Sequence, residues 1–383
     1  MNKFIEIFVV ALKLGMTSFG GPIAHLGYFR DEYVVRRKWL NESVYQDIVS
    51  LCQILPGPAS SQVGMAIGLI RGGVLGAIAA FLGFTLPSVI ALIFIATLFI
   101  HIEIPLGFTK GLMLVAVAVV LHALIGMGRK TLDDVTTVFI ALVSLFVILL
   151  FPVAWAQLLV IILSGVVGIL LFKVRPSHQE AFQVNISKRV SHRSLLLLLL
   201  LLTGLPVLSV ITNNEWVIFF NKLYEVGLLV FGGGHVVLPL LQNAFVPEIM
   251  LDQFLAGYGV TQAMPGPLFT FSSYIGTVIF GVMGGIVGMI AIFLPALLLI
   301  IGSLTYFADI RSNRYIASAL KGINAGVIGI LGASFIDPIL KHTIIHPFDA
   351  LFACLLFIML QYAKVAPWIV VTAGLIIGII FYR

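Results

Sequence analysis

Two stretches of the chain, residues 135–172 and 253–308, contain no Asp, Glu, Lys or Arg. About 20 apolar residues cross a bilayer as a helix, so each stretch holds more than one membrane segment. Lipid offers no hydrogen-bond partners, and a spanning barrel would need an alternating polarity that is absent; the segments are therefore predicted to be helices. Composition agrees, with 60% of the 383 residues hydrophobic and 10% charged, against about a quarter charged in soluble domains. A soluble globular fold is excluded, and the chain reads as an all-α polytopic membrane protein.

The formal charge is +6, but Lys and Arg lie mainly between the apolar segments, as topogenic signals and contacts to anionic lipid require. The lipid bilayer is the expected partner, and nucleic acid is not. Cys52 and Cys354 both lie in apolar runs, which suggests neither a disulfide framework nor a thiolate metal site. The first apolar stretch carries Lys3, Glu6 and Lys13 and lacks a small-residue cleavage site, so it is expected to be retained. No H-E-x-x-H, Walker loop or nucleophile elbow occurs, which argues against an enzyme, a bound cofactor or an ATP-driven pump.

Apolar segments bracket at roughly 4–29, 48–70, 72–100, 107–127, 135–151, 153–172, 194–212, 214–240, 254–280, 281–306, 316–336, 347–363 and 365–382. Residues 173–193 carry Lys173, Arg175, Lys188, Arg189 and Arg193 against Glu180 and read as a basic cytoplasmic linker. The two sides of that linker repeat each other. Gly20-Gly21 recurs as Gly232-Gly233, Pro56-Gly57-Pro58 as Pro265-Gly266-Pro267, Leu86-Pro87 as Leu294-Pro295 and Lys110-Gly111 as Lys321-Gly322, at offsets of 208 to 212 residues. Gln53 and Gln262 each stand three residues before their proline. An ordered set with so little drift marks a duplication. The expected organisation is an N-terminal repeat (1–172), the linker (173–193), an extra apolar segment (194–212) and a C-terminal repeat (213–383).

Orientation follows from the basic residues. If 48–70 enters and leaves on one side, with Pro-Gly-Pro at its bend, then Arg30, Arg36, Arg37, Lys38, Arg71, Arg129, Lys130 and the linker share one face and obey the positive-inside rule. In the second half the loop 241–253 has no Lys or Arg, Phe280 stands where Arg71 stood, and Arg311 and Arg314 follow the third segment. That pattern predicts an inverted repeat with broken or re-entrant helices at the Pro-Gly-Pro motifs. Counted this way, inversion is taken to need an even number of crossings between the linker and residue 214, and the single segment 194–212 conflicts with it.

Chemistry is expected at the broken motifs. Glycine and proline inside an apolar segment free N–H and C=O groups that only a cavity or protein can satisfy. A helix restarting after Pro58 would present free N–H groups and a positive dipole end, with Ser60, Ser61 and Gln62 beside it, which suits an anion without full positive charge. The second half offers Pro267 followed by Thr270, Ser272 and Ser273. Two such elements meeting at midplane across an inverted repeat make a transport site. Isolated Gly-Gly or Leu-Pro pairs are more simply kinks and packing points, and Pro87 and Pro295 are read as structural. His25 and His235 flank the Gly-Gly turns two positions out of register; each is a candidate proton carrier or a carbonyl-bonding segment end. Lys110 and Lys321 either add positive field to the site or snorkel to the interface, and Asn324 lies a turn beyond Lys321. Arg30, Arg36 and Arg37 are candidates for gathering anions at the cytoplasmic mouth, besides their topogenic role.

The run SFGGPIAHLGYFRDEYVVRRKWL (18–40), followed by LCQILPGPASSQVGMAIGLIRGG (51–73), resembles the chromate ion transporter family, and VFGGGHVVLPLL (230–241) with TQAMPGPLFTFSSYIG (261–276) resembles its second domain. The likeness covers nearly the whole chain and fits the long-chain, two-domain form. It implies export of chromate, with sulfate as a similar oxyanion, through the inner cell membrane and without ATP hydrolysis. The family motifs fall on Gly20, Gly21, Pro22, His25, Arg30, Arg36, Arg37, Trp39, Gln53, Pro56, Gly57 and Pro58, then on Gly232, Gly233, Gln262, Pro265, Gly266 and Pro267. A secondary transporter of chromate, driven by membrane potential with or without proton antiport, is the expected function; a carrier or channel for sulfate or another tetrahedral oxyanion is the alternative. A homodimer is compatible with the sequence.

Overall fold

The computed structural model describes residues 3–102, 105–173, 187–231, 234–246, 248–306 and 313–382. Most of the basic linker, Gly232, Gly233 and Arg311 lie outside the described residues. Among the described residues every regular element is helical. The first half comprises α1 (Lys3–Thr17), α2 (Gly21–Phe29) running into a π-turn segment (Arg30–Arg36), α3 (Glu42–Ile54), α4 (Ala59–His101), α5 (Leu106–Thr131), α6 (Val135–Leu150) and α7 (Ala154–Leu171). After α8 (Lys188–Thr212) come α9 (Glu215–Leu229), α10 (Val237–Phe245), α11 (Leu251–Thr261), α12 (Phe271–Ser303), α13 (Arg314–Ser334), α14 (Pro347–Gln361) and α15 (Pro367–Phe381). Five helical stretches are long and apolar enough to cross a membrane, and shorter apolar helices accompany them.

The longest of these helices is two helices folded together. At Gly72-Gly73 the chain leaves helical geometry, with Gly73 at φ 63°, and Phe280-Gly281 in α12 repeats the turn with Gly281 at φ 68°. A positive φ is cheap only for glycine, so each turn is encoded by one residue. Gly68 touches the backbone of Gly76, and Gly276 that of Gly284. Residues eight apart in a straight helix are about 12 Å apart, so the two arms of each helix lie side by side.

Within each half, the first helix packs on the long second arm: Gly15 of α1 meets Phe84 of α4, and Gly227 of α9 meets Ile292 of α12. The two long arms then pack on each other across the halves, Ile93 against Gly285 and Phe81 against Phe293 with ring centroids 5.2 Å apart. Ascending numbers on one arm meet descending numbers on the other, so α4 and α12 run antiparallel.

The remaining helices are exchanged between the halves. α5 packs on α14 and α15, and α13 packs on α6 and α7. Close backbone contacts carry both seams, Gly111 against Gly374 and Gly322 against Ser164 and Gly168. The repeats read in the sequence are therefore not two separately packed bodies. One lysine closes each seam. Lys110 Nζ donates to Asp349 Oδ2 at 3.0 Å and to the Thr343 carbonyl at 2.5 Å, while Lys321 Nζ lies 2.9 Å from Asp133 and 2.8 Å from Asp134.

The Asp349 side chain is fully buried and also accepts from the Ile345 and His346 N–H groups and from Tyr382. Asp349→Ala would leave the Lys110 ammonium without its counter-charge in a buried site, at a cost of about 3 kcal/mol. Thermal unfolding in detergent should drop by several degrees for Asp349→Ala and by less for Asp134→Ala. An unchanged midpoint for Asp349→Ala would mean that this pair does not hold the seam.

Candidate functional site

Four breaks in helical structure converge on the α4–α12 contact. α1 ends at Thr17, and Gly20 (φ 95°) and Gly21 (φ 75°) turn the chain into α2. α3 ends at Ile54, and Pro56-Gly57-Pro58 leads into α4, with Gly57 at φ 114°. In the second half α9 ends at Leu229, and Pro265-Gly266-Pro267 follows α11, with Gly266 at φ 96°.

The breaks are joined crosswise. The Gly57 N–H donates to the Val230 carbonyl at 2.7 Å, and the Gly266 N–H donates to the Ser18 carbonyl at 2.9 Å. Val230 follows Ser18 by 212 residues and Gly266 follows Gly57 by 209, so the two bonds are the same bond made twice. The last carbonyls of a helix have no intrahelical donor. Proline on both sides leaves the central glycine as the one donor of each Pro-Gly-Pro. Each half thus satisfies the other. A Cβ at position 57 would come within 3.2 Å of Ala296, and one at 266 within 3.1 Å of Ser88.

Polar side chains collect around these joints without enough partners. His25 Nδ1 lies 3.3 Å from Ser60 Oγ, and Gln62 Nε2 donates to the Pro56 carbonyl at 2.8 Å. Ser18 Oγ, His25 Nε2, Ser61 Oγ and Gln62 Oε1 in the first half, and Gln262 Nε2, Ser272 Oγ and Ser273 Oγ in the second, are buried with no hydrogen-bond partner in the protein. Leaving such a group unpaired costs about 1–3 kcal/mol. Six of them, all but the acceptor Gln62 Oε1, can donate, and around two joints they make a surface suited to a small polar solute that accepts hydrogen bonds.

The chromate transporter family profile matches residues 5–169 and 217–379, one match on each half. The chain belongs to the chromate transporter family. Among its relatives are an uncharacterized transporter of Methanocaldococcus jannaschii, 26% identical over 98% of this chain and 93% of its own length, and a chromate transport protein of Pseudomonas aeruginosa, 27% identical over 88% and 81%. A chromate transport protein of Cupriavidus metallidurans is 24% identical over 98% and 93%. No solved structure matches. With the family and its apolar helices established, the chain is a multi-pass membrane protein.

Other residues singled out in this transporter's sequence take varied places. Thr270 Oγ1 donates to the Pro267 carbonyl at 2.7 Å, capping its own turn. His235 Nδ1 lies 2.8 Å from the Tyr258 hydroxyl. Gln53 is on the exposed side of α3, whereas its counterpart Gln262 is buried. Lys110 and Lys321 are engaged at the seams by aspartates, and Asn324 is half-buried on α13. Ser18, with its partnerless hydroxyl, and Tyr258, against His235, join these residues in the fold. Ser18 carries a weak signal, a hydroxyl next to the Gly-Gly turn in an apolar run; Tyr258 carries none.

The basic run beyond α2 folds onto the Gly72-Gly73 turn. An open pocket of about 570 Å³ is lined by Glu6, Glu32, Arg36, Arg37, Lys38, Trp39 and Arg71. Arg71 lies 3.1 Å from Glu6 and stacks 4.1 Å above the Trp39 ring, and Arg37 donates to Glu32 at 2.9 Å. Arg30 does not join this group; it pairs with Glu42 at 2.8 Å, outside the pocket. Four cations face two carboxylates, so the pocket is net positive. In the second half Phe280 occupies the place of Arg71 and stacks on Trp216 at 4.5 Å.

Burial works against ionisation of Glu32, but hydrogen bonds donated by Arg37 and Lys13 hold its carboxyl below the ordinary glutamate value. A depressed folded-state value contributes stability above the unfolded value, about 4.5, which is lost as pH falls through the folded value. The thermal midpoint should therefore fall on acidification below that pH. Glu32→Gln should flatten part of this decline, and an identical acid limb in both proteins would contradict the assignment.

Proposed function

We propose that this chain is a secondary transporter that exports chromate across the inner cell membrane, with the oxyanion bound between the crossed breaks. The observation that carries the proposal is the set of partnerless hydroxyl, amide and imidazole atoms around the two reciprocal glycine joints. The helix restarting at Ala59 adds free N–H groups and a positive dipole end beside Ser60 and Ser61. Hydroxyls, amides and N–H groups replace the water of a tetrahedral dianion without a permanent positive charge. Release therefore does not require an ion pair to break.

Alternating access follows from an inverted repeat. Supporting it, equivalent arms of α4 and α12 run antiparallel and repeat the same glycine turn. In this reading α1–α2 and α3 with the first arm of α4 are re-entrant hairpins entering from the cytoplasm, and α9 through the first arm of α12 enter from outside. A copy that starts on the face opposite the linker needs an odd number of crossings, not an even one, and α8 supplies it. Arg36, Arg37, Lys38, Arg71, Arg129, Lys130, Lys188, Arg189, Arg193 and Arg314 then share the cytoplasmic face, as the positive-inside rule asks.

Direction follows from the same asymmetry. The net-positive pocket at Arg71 gathers dianions on the cytoplasmic side, and the aromatic pair Trp216–Phe280 stands at the corresponding place outside. With the inside negative, one charge moved through 100 mV is worth about 2.3 kcal/mol, so a dianion gains about twice that on leaving. Proton antiport through His25 or His235 is an addition to this drive, not a requirement.

In inside-out vesicles, radiolabelled chromate should accumulate saturably under a lumen-positive potential, with sulfate competing. Ser61→Ala combined with Ser273→Ala should reduce the rate at least about tenfold, two lost hydrogen bonds to a charged ligand, in protein that still inserts and unfolds normally. Sulfate carried in place of chromate would move the substrate. Flux without saturation or accumulation would mean a channel, and an unchanged double variant would exclude this site.

A further inference from the structure

A crevice of about 580 Å³ opens between α7, α8, α9 and α10, a size typical of small-molecule sites. Its depth is apolar, walled by Leu158, Leu202, Pro206, Val226 and Leu229. One wall is α8, whose most apolar window has none of its residues buried inside the protein, so the crevice faces the bilayer. α8 belongs to neither family match, and the crevice is a product of that added helix.

The other end of the crevice is polar, beside the loops that join α6 to α7 and α10 to α11. Lys222 is already engaged there by Glu248 and by the Ala244 carbonyl at 3.0 Å. Glu225 lines the crevice and accepts one hydrogen bond, from Asn221 at 2.9 Å. Two carboxylates against one ammonium leave this end net negative. Gln157 also lines it, 2% exposed, and its Nε2 donor has no partner in the protein. Trp155 stands at the rim, where amphipathic rings mark the membrane interface.

The occupant must therefore supply a long apolar chain, a cation for Glu225 and an acceptor oxygen for Gln157. We propose that this crevice is a binding site for one phospholipid with an amine headgroup, phosphatidylethanolamine: the acyl chain lies along α8, the ammonium meets Glu225, and an ester or phosphate oxygen accepts from Gln157. An anionic headgroup without an amine meets the net negative end and loses the Glu225 contact.

The test is native mass spectrometry of the delipidated full chain, titrated with phosphatidylethanolamine and phosphatidylglycerol bearing identical acyl chains. One phosphatidylethanolamine should be retained about tenfold more tightly than phosphatidylglycerol, the worth of a charge-assisted contact. Glu225→Gln should abolish that preference, and Gln157→Leu should weaken both lipids. Leu202→Trp, a change on the exposed helix that fills the crevice, should expel both, which keeps the test decisive if Glu225→Gln fails to fold. Equal retention of the two headgroups by the wild-type chain would overturn the proposal. So would phosphatidylethanolamine binding unaffected by Leu202→Trp.

Discussion

The Gly57 N–H to Val230 carbonyl bond and its twin from Gly266 to Ser18 are the points on which the molecule depends. A helix that stops inside a membrane leaves carbonyls that lipid cannot satisfy, and a Pro-Gly-Pro break leaves a lone donor. Neither defect is tolerable alone. Paired across the halves they cancel, and the pairing forces the ends of α1 and α9 against the opposite half's break. Glycine is required twice over, for the positive φ and for the closeness of Ala296 and Ser88.

The exchanged helices give that crossing a frame. α5 is held by α14 and α15, and α13 by α6 and α7, with Lys110–Asp349 and Lys321–Asp134 closing the seams. The halves cannot separate without breaking both seams. The same closeness suits a transporter, because glycine-lined helix contacts present smooth backbones and few interlocking side chains. The Lys110 and Lys321 ion pairs lie at the seams, while the joints are lined by hydroxyl, amide and imidazole groups.

Much of this was legible in the sequence. The charge-free runs required helices, and the ordered recurrence of Gly-Gly, Pro-Gly-Pro and Lys-Gly located the two halves that the family profile matches separately. Glycine and proline inside apolar runs pointed to the joints because lipid forbids free backbone groups. The exchange of α6–α7 with α14–α15 was not legible: apolar helices with small residues fit many neighbours, and nothing in their pattern names one. Lys110 and Lys321 were seen to align, but their partners could not be paired by the repeat, since Asp349 falls outside the common offset from Asp133 and Asp134. The role of Arg71 was hidden for a related reason, because Glu6 and Trp39 are distant in sequence and only the fold brings them to it.

The most direct test of the crossed joints as the oxyanion site is an anomalous-scattering map from crystals grown with selenate, a tetrahedral dianion with a heavy central atom. A peak within hydrogen-bond reach of Ser61 Oγ and His25 Nε2, or of Ser272 and Ser273 in the other half, that disappears in the Ser61→Ala, Ser273→Ala protein is the result this account predicts. A peak confined to the arginines at Arg36, Arg37 and Arg71, with none at either joint, would contradict it.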